Sequence, residues 1–277
     1  MKRYSQIFVI GVLSLFTAGF VLNSDMTQEE LTGKEVIQKN YYRNDGNDEN
    51  SKLTLTLINK SGDKRIREIV QFRKKYPGVE KKIVFFVSPA DVRNTAFLNL
   101  NYEEVGKDDD QWIYLPSLKK IKRISSESKS DYFMGSDFTY DDISDRTPDQ
   151  DTHKLLRTEE LNGETCYVVE SIPKEDGSMY SKTISWVMKD KWLYLKREFY
   201  DKDKKLLKID SAEDYKQIDG IWTTTHRVMN NIQKKHKSDI VYSEVKYDTG
   251  IDDYQFTEHA LRTVSYTHLT LPTKRIV

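Results

Sequence analysis

Residues 52–75, KLTLTLINKSGDKRIREIVQFRKK, change side-chain character at nearly every step. Leu53, Leu55 and Leu57 alternate with Thr54, Thr56 and Ile58. After NKSGDK, Ile66, Glu68, Val70 and Phe72 alternate with Arg67, Ile69 and Gln71. A period of two sends alternate side chains to opposite faces of a strand, and the Asn, Gly and Asp between the runs suit a reversal. The stretch therefore predicts a β-hairpin, its first strand the more clearly two-faced.

The same rhythm continues in KKIVFFVS, NTAFLNLNY, QWIYLP, KKIKRIS, HKLLRTEEL, TCYVVESIP, YSKTISWVMK, WLYLKREFY, KKLLKIDSAEDY, IWTTTHRVMN and DIVYSEVKY, with NG, EDG, DKDK and IDG between several of them. Strands at such short, regular spacing predict an all-β antiparallel meander. A flat sheet of that size would leave long edges and two bare faces, so it must curl, and its concave face must be filled. Two fillers are available. TGKEVIQKNYY carries Thr32 and Glu35 at capping-box spacing and an apolar stripe of Val36, Ile37 and Tyr41, which predicts one amphipathic helix. The other is the non-strand stretch from Ser125 to Thr152.

At the N-terminus, Lys2 and Arg3 precede an apolar run from Ile7 to Leu22, the layout of a secretory signal peptide, expected over residues 1–24. No cysteine follows that run to accept a lipid, because the chain's one cysteine is Cys166. The last stretch, residues 265–277 (SYTHLTLPTKRIV), breaks the preceding character and reads as a non-native tail. Between them, residues 25–264 are expected to form a single β domain. Without Lys2, Arg3, Lys274 and Arg275 the chain carries 40 basic residues against 44 acidic ones, so nucleic acid is not an expected partner. With one cysteine there is no internal disulfide, and Cys166, in TCYVVES, reads as a small buried filler.

The chemical motifs are sparse. KDDDQW (Asp108 to Asp110) lacks the glycine and terminal glutamate of a calcium loop and reads as a solvated hairpin tip. His153, His226, His236 and His259 are scattered, without zinc-site spacing. No phosphate-binding or dinucleotide fingerprint occurs, and MGSDF resembles a nucleophile elbow only loosely. No enzyme, cofactor or metal is expected; a hydrolase using Ser136 with His153 is the weakest alternative. In FMGSDFTYDDIS (133–144), Ser136 or Asp137 is expected to cap a short helix, with Asp141 and Asp142 in its first turns. Aromatic and apolar residues crowd around this stretch. Trp112, Tyr114, Phe133, Met134, Phe138 and Ile143 are the candidate lining and lid of an apolar ligand site, a role weighed evenly against ordinary core packing.

LTLINKSGDKRIRE, FFVSPADVRNTAFLNLNYEEVGKDDDQWIYLPSLKKIKRIS, FMGSDFTYDDIS, DTHKLLRTEELNGETCYVVESIPK, WLYLKREFYD and IDGIWTTTHRVMNN together resemble the outer-membrane lipoprotein-sorting protein family, in order and from about Thr32 to Arg262. The resemblance implies a mainly β fold: a half-open, curved antiparallel β-barrel of about 11 strands, with an N-terminal helix and short helices over the concave face. It also implies a periplasmic carrier of lipoprotein acyl chains or another lipid, with an inner-membrane exporter or an outer-membrane acceptor as partner. The alternative is a non-enzymatic adaptor that docks on a membrane exporter of the resistance-nodulation-division type. The resemblance brings no catalytic residues.

Overall fold

The computed structural model describes residues 31–262. The expected signal peptide and tail, and the outer limits of the expected domain, lie outside the described residues. The hairpin of residues 52–75 is present as β1 (Asp48–Ile58) and β2 (Lys64–Tyr76), paired antiparallel with Leu55 opposite Arg67. The meander continues through β3 (Val79–Ser88), β4 (Ala96–Tyr102), β5 (Asp110–Leu115) and β6 (Lys120–Arg123). A second meander comprises β7 (Asp151–Leu161), β8 (Glu164–Pro173), β9 (Lys182–Met188), β10 (Tyr194–Tyr200), β11 (Leu206–Ile218), β12 (Ile221–Asn231) and β13 (His236–Tyr247).

β1 pairs with β13, which joins the two meanders into one antiparallel sheet in the order β6-β5-β4-β3-β2-β1-β13-β12-β11-β10-β9-β8-β7. The sheet has 13 strands rather than about 11, because pairing continues outward to the four-residue edge strand β6 and to β7. It is curved and open. Register shifts between β9 and β10, β11 and β12, and β1 and β13 add local twist to it.

This order has a topological consequence. β6 and β7 follow each other in sequence but lie at opposite edges of the sheet, so residues 124–150 must cross the concave face to connect them. The crossing segment contains short 3-10 turns at Ser126–Ser130, Phe133–Gly135 and Pro148–Gln150, and one turn of helix, α2 (Tyr140–Ile143).

The predicted N-terminal helix is α1 (Gly33–Tyr41), and its capping box is present: the Thr32 hydroxyl accepts from Glu35 N at 3.2 Å and the Glu35 carboxylate accepts from Thr32 N at 2.7 Å. Val36 and Ile37 are buried against Val169 of β8 and Val187 of β9. A Cβ on Gly33 would lie 2.5 Å from the Leu155 nitrogen and 2.7 Å from the Lys154 carbonyl carbon, so only glycine lets the helix start this close to the β7 backbone.

The first meander has two distinct faces. Leu53, Leu55, Leu57, Ile69, Val84, Phe86, Phe97 and Ile113 form the core on the concave side, beneath Phe133. The intervening Ile83, Phe85, Ala96 and Leu98 pack on the other side against Ile251, against Phe256 of a 3-10 turn (Asp253–Phe256), and against Ala260 and Leu261 of α3 (Glu258–Arg262). The expectation that the short helices cover the concave face holds only in part. These two C-terminal elements cover the opposite face.

Candidate functional site

Period-two alternation delivers side chains from many strands to the concave face, and the crossing segment is laid over them. Phe133 is the central contact, its ring 5.0 Å from Phe97, 5.9 Å from Phe86 and 5.4 Å from Tyr140 between centroids. Phe138 packs with Tyr180, Phe199, Leu207 and Met229, and the Arg227 guanidinium lies 4.9 Å from its ring centroid.

Polar bonds hold the segment to at least five strands. Asp137 accepts from Ser238 Oγ at 2.8 Å and is 2.7 Å from His236 Nδ1, while its backbone N–H donates to Ser238 Oγ at 2.8 Å. Lys208 donates to Asp142 and, at 3.0 Å, to the Asp137 carbonyl. Gln111 donates to the Tyr140 carbonyl at 2.9 Å, Lys82 to the Ile143 carbonyl at 3.2 Å, and Arg67 to the Met134 carbonyl. Met134 has φ 48°, a left-handed conformation that costs a non-glycine residue roughly 1–2 kcal/mol, and Gly135 follows at φ 74°. The packing and bonding of the segment must outweigh that strain.

The helix cap differs from the expected one. Thr139 caps α2, its hydroxyl accepting from Asp142 N at 3.1 Å while the Asp142 carboxylate accepts from Thr139 N at 2.6 Å. Ser136 instead donates to the Phe133 carbonyl at 2.8 Å, and Asp137 is engaged by β13. A Ser136–His153 pair is absent, because His153 contacts Ser171 Oγ and the Pro148 carbonyl, both at 2.7 Å.

Beside the crossing segment lies a cavity of about 520 Å³, within the size range of small-molecule sites. Three candidate lining residues, Phe133, Phe138 and Ile143, border it. Met134 packs behind them in the apolar core. Trp112 and Tyr114 do not line it: β5 turns Ile113 inward, so its neighbours point to the opposite face and join Ile83, Leu98 and Leu261. The sequence pattern around 112–114 is aromatic on both sides of Ile113, and bulk alone does not reveal which parity faces inward.

The larger surprise is the charge on the cavity wall. Arg73, 5% exposed, donates to Glu80 at 3.0 Å and lies 3.5 Å from both Glu49 and Asp45. Burial works against its charge, but Glu80, Glu49 and Asp45 together raise its pKa. Arg227 contacts both Asp210 oxygens at 2.6 Å, and Arg197 reaches the same carboxylate at 2.9 Å. Burial pushes the Asp210 carboxyl up, but Arg227 and Arg197 overcome this and bring it to about 2. Tyr194, Tyr242 and Tyr247 add hydroxyls to the wall. The signal for these residues was present: Arg73 shares the parity of Ile69, two pairs along β2.

Comparison with known proteins places this architecture. An outer membrane lipoprotein-sorting protein domain from Vibrio parahaemolyticus is 34% identical, covering 83% of this chain and 98% of its own, at a TM-score of 0.78. This chain belongs to the outer-membrane lipoprotein-sorting family. A second solved member-like structure, a DUF1329 family protein from Desulfovibrio piger, is 31% identical over 83% of this chain and 97% of that one, at a TM-score of 0.80. A LolA superfamily protein from Nitrosomonas europaea shares the fold, at 23% identity over 83% of this chain and all of that one, with a TM-score of 0.66. The family model described as "-like: Uncharacterized protein" matches residues 78–263. No curated protein matches the sequence. In this lipoprotein-sorting fold the cavity wall is built from charged strand residues and the crossing segment alike.

Proposed function

We propose that the protein is a periplasmic carrier or chaperone that shelters lipoprotein acyl chains, or another lipid, on the concave face for transport toward the outer membrane. The observation that carries this reading is the crossing segment. It covers an apolar half-barrel core with side chains that no strand contributes, in a fold whose Vibrio relative is described as lipoprotein-sorting. Sheltering one methylene is worth about 0.8 kcal/mol, so a chain of about 15 carbons needs roughly 12 kcal/mol of cover, which a groove supplies without chemistry. Cargo enters when the segment lifts, with the Met134–Gly135 turn as its hinge. Export by an N-terminal signal peptide belongs to the same reading.

One observation favours the adaptor alternative: the apolar end of the concavity is already filled by Phe133 and Tyr140. Native mass spectrometry of protein purified gently from the periplasm decides between them. A co-purifying lipid or lipopeptide mass is the expected result. In parallel, Phe133→Ser combined with Phe138→Ser should lower uptake of a fluorescent fatty acid at temperatures where the fold persists. A bare protein that takes up no fatty acid would turn the assignment to docking on an exporter.

A further inference from the structure

The cavity on the concave face runs from the apolar core at Leu53, Leu55 and Val84 to a charged stretch at Glu49, Arg73 and Lys82. Inward positions along β1 run Glu49, Ser51, Leu53, Leu55, and along β3 they run Glu80, Lys82, Val84, Phe86; the register sets Glu49 beside Arg73 and Arg73 beside Lys82. One end of the groove is therefore charged and the other apolar. The crossing segment follows the same polarity. Its rings pack at the apolar end, and two residues beyond Ile143 its Asp145 reaches the charged end and borders the cavity.

Asp145 is loosely held there. Its closest ion-pair partner is Lys82 Nζ at 3.8 Å, and its side chain is 64% exposed. Arg73 and Arg227 are tightly paired, but Lys82 and Arg43 beside Asp145 are not. Arg43 makes no ion pair among the described residues, and its buried Nε has no hydrogen-bond partner. Arg197 and Arg227 share the single carboxylate of Asp210. Desolvation pushes the Asp145 carboxyl up, but Lys82, then Arg43, Arg73 and Arg197 outweigh it and hold the group below the ordinary value, so the local field favours an anion.

We infer that the charged end of the groove binds the anionic headgroup of an amphiphile, and that residues 133–145 are an internal stand-in for it, with Phe133 and Ile143 in place of the tail and Asp145 in place of the head. This deepens the carrier reading above and rests on it. Arginine and lysine donors serve a carboxylate or a phosphate equally well in kind, so the shared chemistry is one anionic group on an alkyl chain. The apolar tail supplies the burial, and the head supplies the discrimination.

The test uses the full chain and three probes of one tail length, below their micelle concentrations: palmitate, hexadecyl phosphate and hexadecanol. At least one anion should bind about tenfold more tightly than the alcohol, equivalent to about 1.4 kcal/mol, and the tighter anion identifies the source. Asp145→Asn removes the internal competitor and should tighten anion binding about fivefold while leaving hexadecanol unchanged. Lys82→Gln should weaken anion binding only, with Lys82→Arg restoring it. Equal affinity for all three probes, with Asp145→Asn silent, overturns the headgroup inference and leaves the carrier reading standing. Failure of all three to bind removes both.

Discussion

Replacing Lys208 with methionine tests how the crossing segment is held down. The Lys208 side chain is 0% exposed and that of its partner Asp142 is 5% exposed. Asp142 also accepts from Tyr180 Oη at 2.8 Å and from Thr139 N at 2.6 Å, so the methionine variant would strand a buried carboxylate with two neutral donors and no cation. Breaking a buried pair from one side costs about 3–5 kcal/mol, far more than the pair contributes relative to an apolar replacement. At about 2–4 °C per kcal/mol for a domain of this size, Tm should fall by roughly 6–20 °C. Urea denaturation gives the free energy, and hydrogen exchange at residues 133–143 shows whether the segment opens first.

The double variant Lys208→Met/Asp142→Asn removes the stranded charge and keeps an acceptor for Tyr180, so it should recover much of the loss. The pH dependence carries a second signature. Burial raises the Asp142 carboxyl, but Lys208 and the hydrogen bonds outweigh it and hold it below the ordinary value. In the wild type its stabilisation is therefore present above the ordinary carboxylate pKa and lost as pH falls through the depressed one. In Lys208→Met burial acts unopposed by that cation, Asp142 protonates more readily, and the gap between variant and wild type narrows in acid. A single variant within about 1 kcal/mol of wild type, or a double variant no better than the single, would refute the role of Lys208 and Asp142 in holding the segment down.

Two further outcomes follow from groups within the sheet. The Asp210 carboxyl moves from 3.8 to about 2 on folding, so its contribution, about 2 kcal/mol, is fully present above pH 4 and lost between about pH 4 and 2; Asp210→Asn should flatten that limb of an acid titration of stability. Cys166 is fully buried and burial pushes its thiol up to about 11, so a thiol reagent at pH 8 should label it only at the rate of unfolding, and fast labelling of native protein would contradict its placement.

The strands were legible because each needs only local information. Leu53, Leu55 and Leu57 alternate, the turns between runs carry Gly, Asn and Asp, and the capping box at Thr32 and Glu35 satisfies its own helix start. The candidate site was legible in part. Phe133, Phe138 and Ile143 border the cavity, but Trp112 and Tyr114 do not, since alternation defines two faces without saying which is inside. Arg73 is not legible as a wall residue, because a charged residue within a strand reads as solvent-facing until the partners that neutralise it are known.

Those partners are distant in sequence, and this is where sequence reading stops. The chain by itself determined the alternation, the caps, the turns and the presence of a non-strand segment between β6 and β7. Only the tertiary structure decided that β1 pairs with β13, and hence that β6 and β7 stand at opposite edges. That one pairing forces residues 124–150 across the concavity, brings Asp142 to Lys208 and Asp145 to Lys82, and sets a charged cavity beside an apolar core. The physical reason is range: backbone preference and side-chain period act over a few residues, whereas the compensation of a buried charge depends on whichever strand the sheet order places beside it.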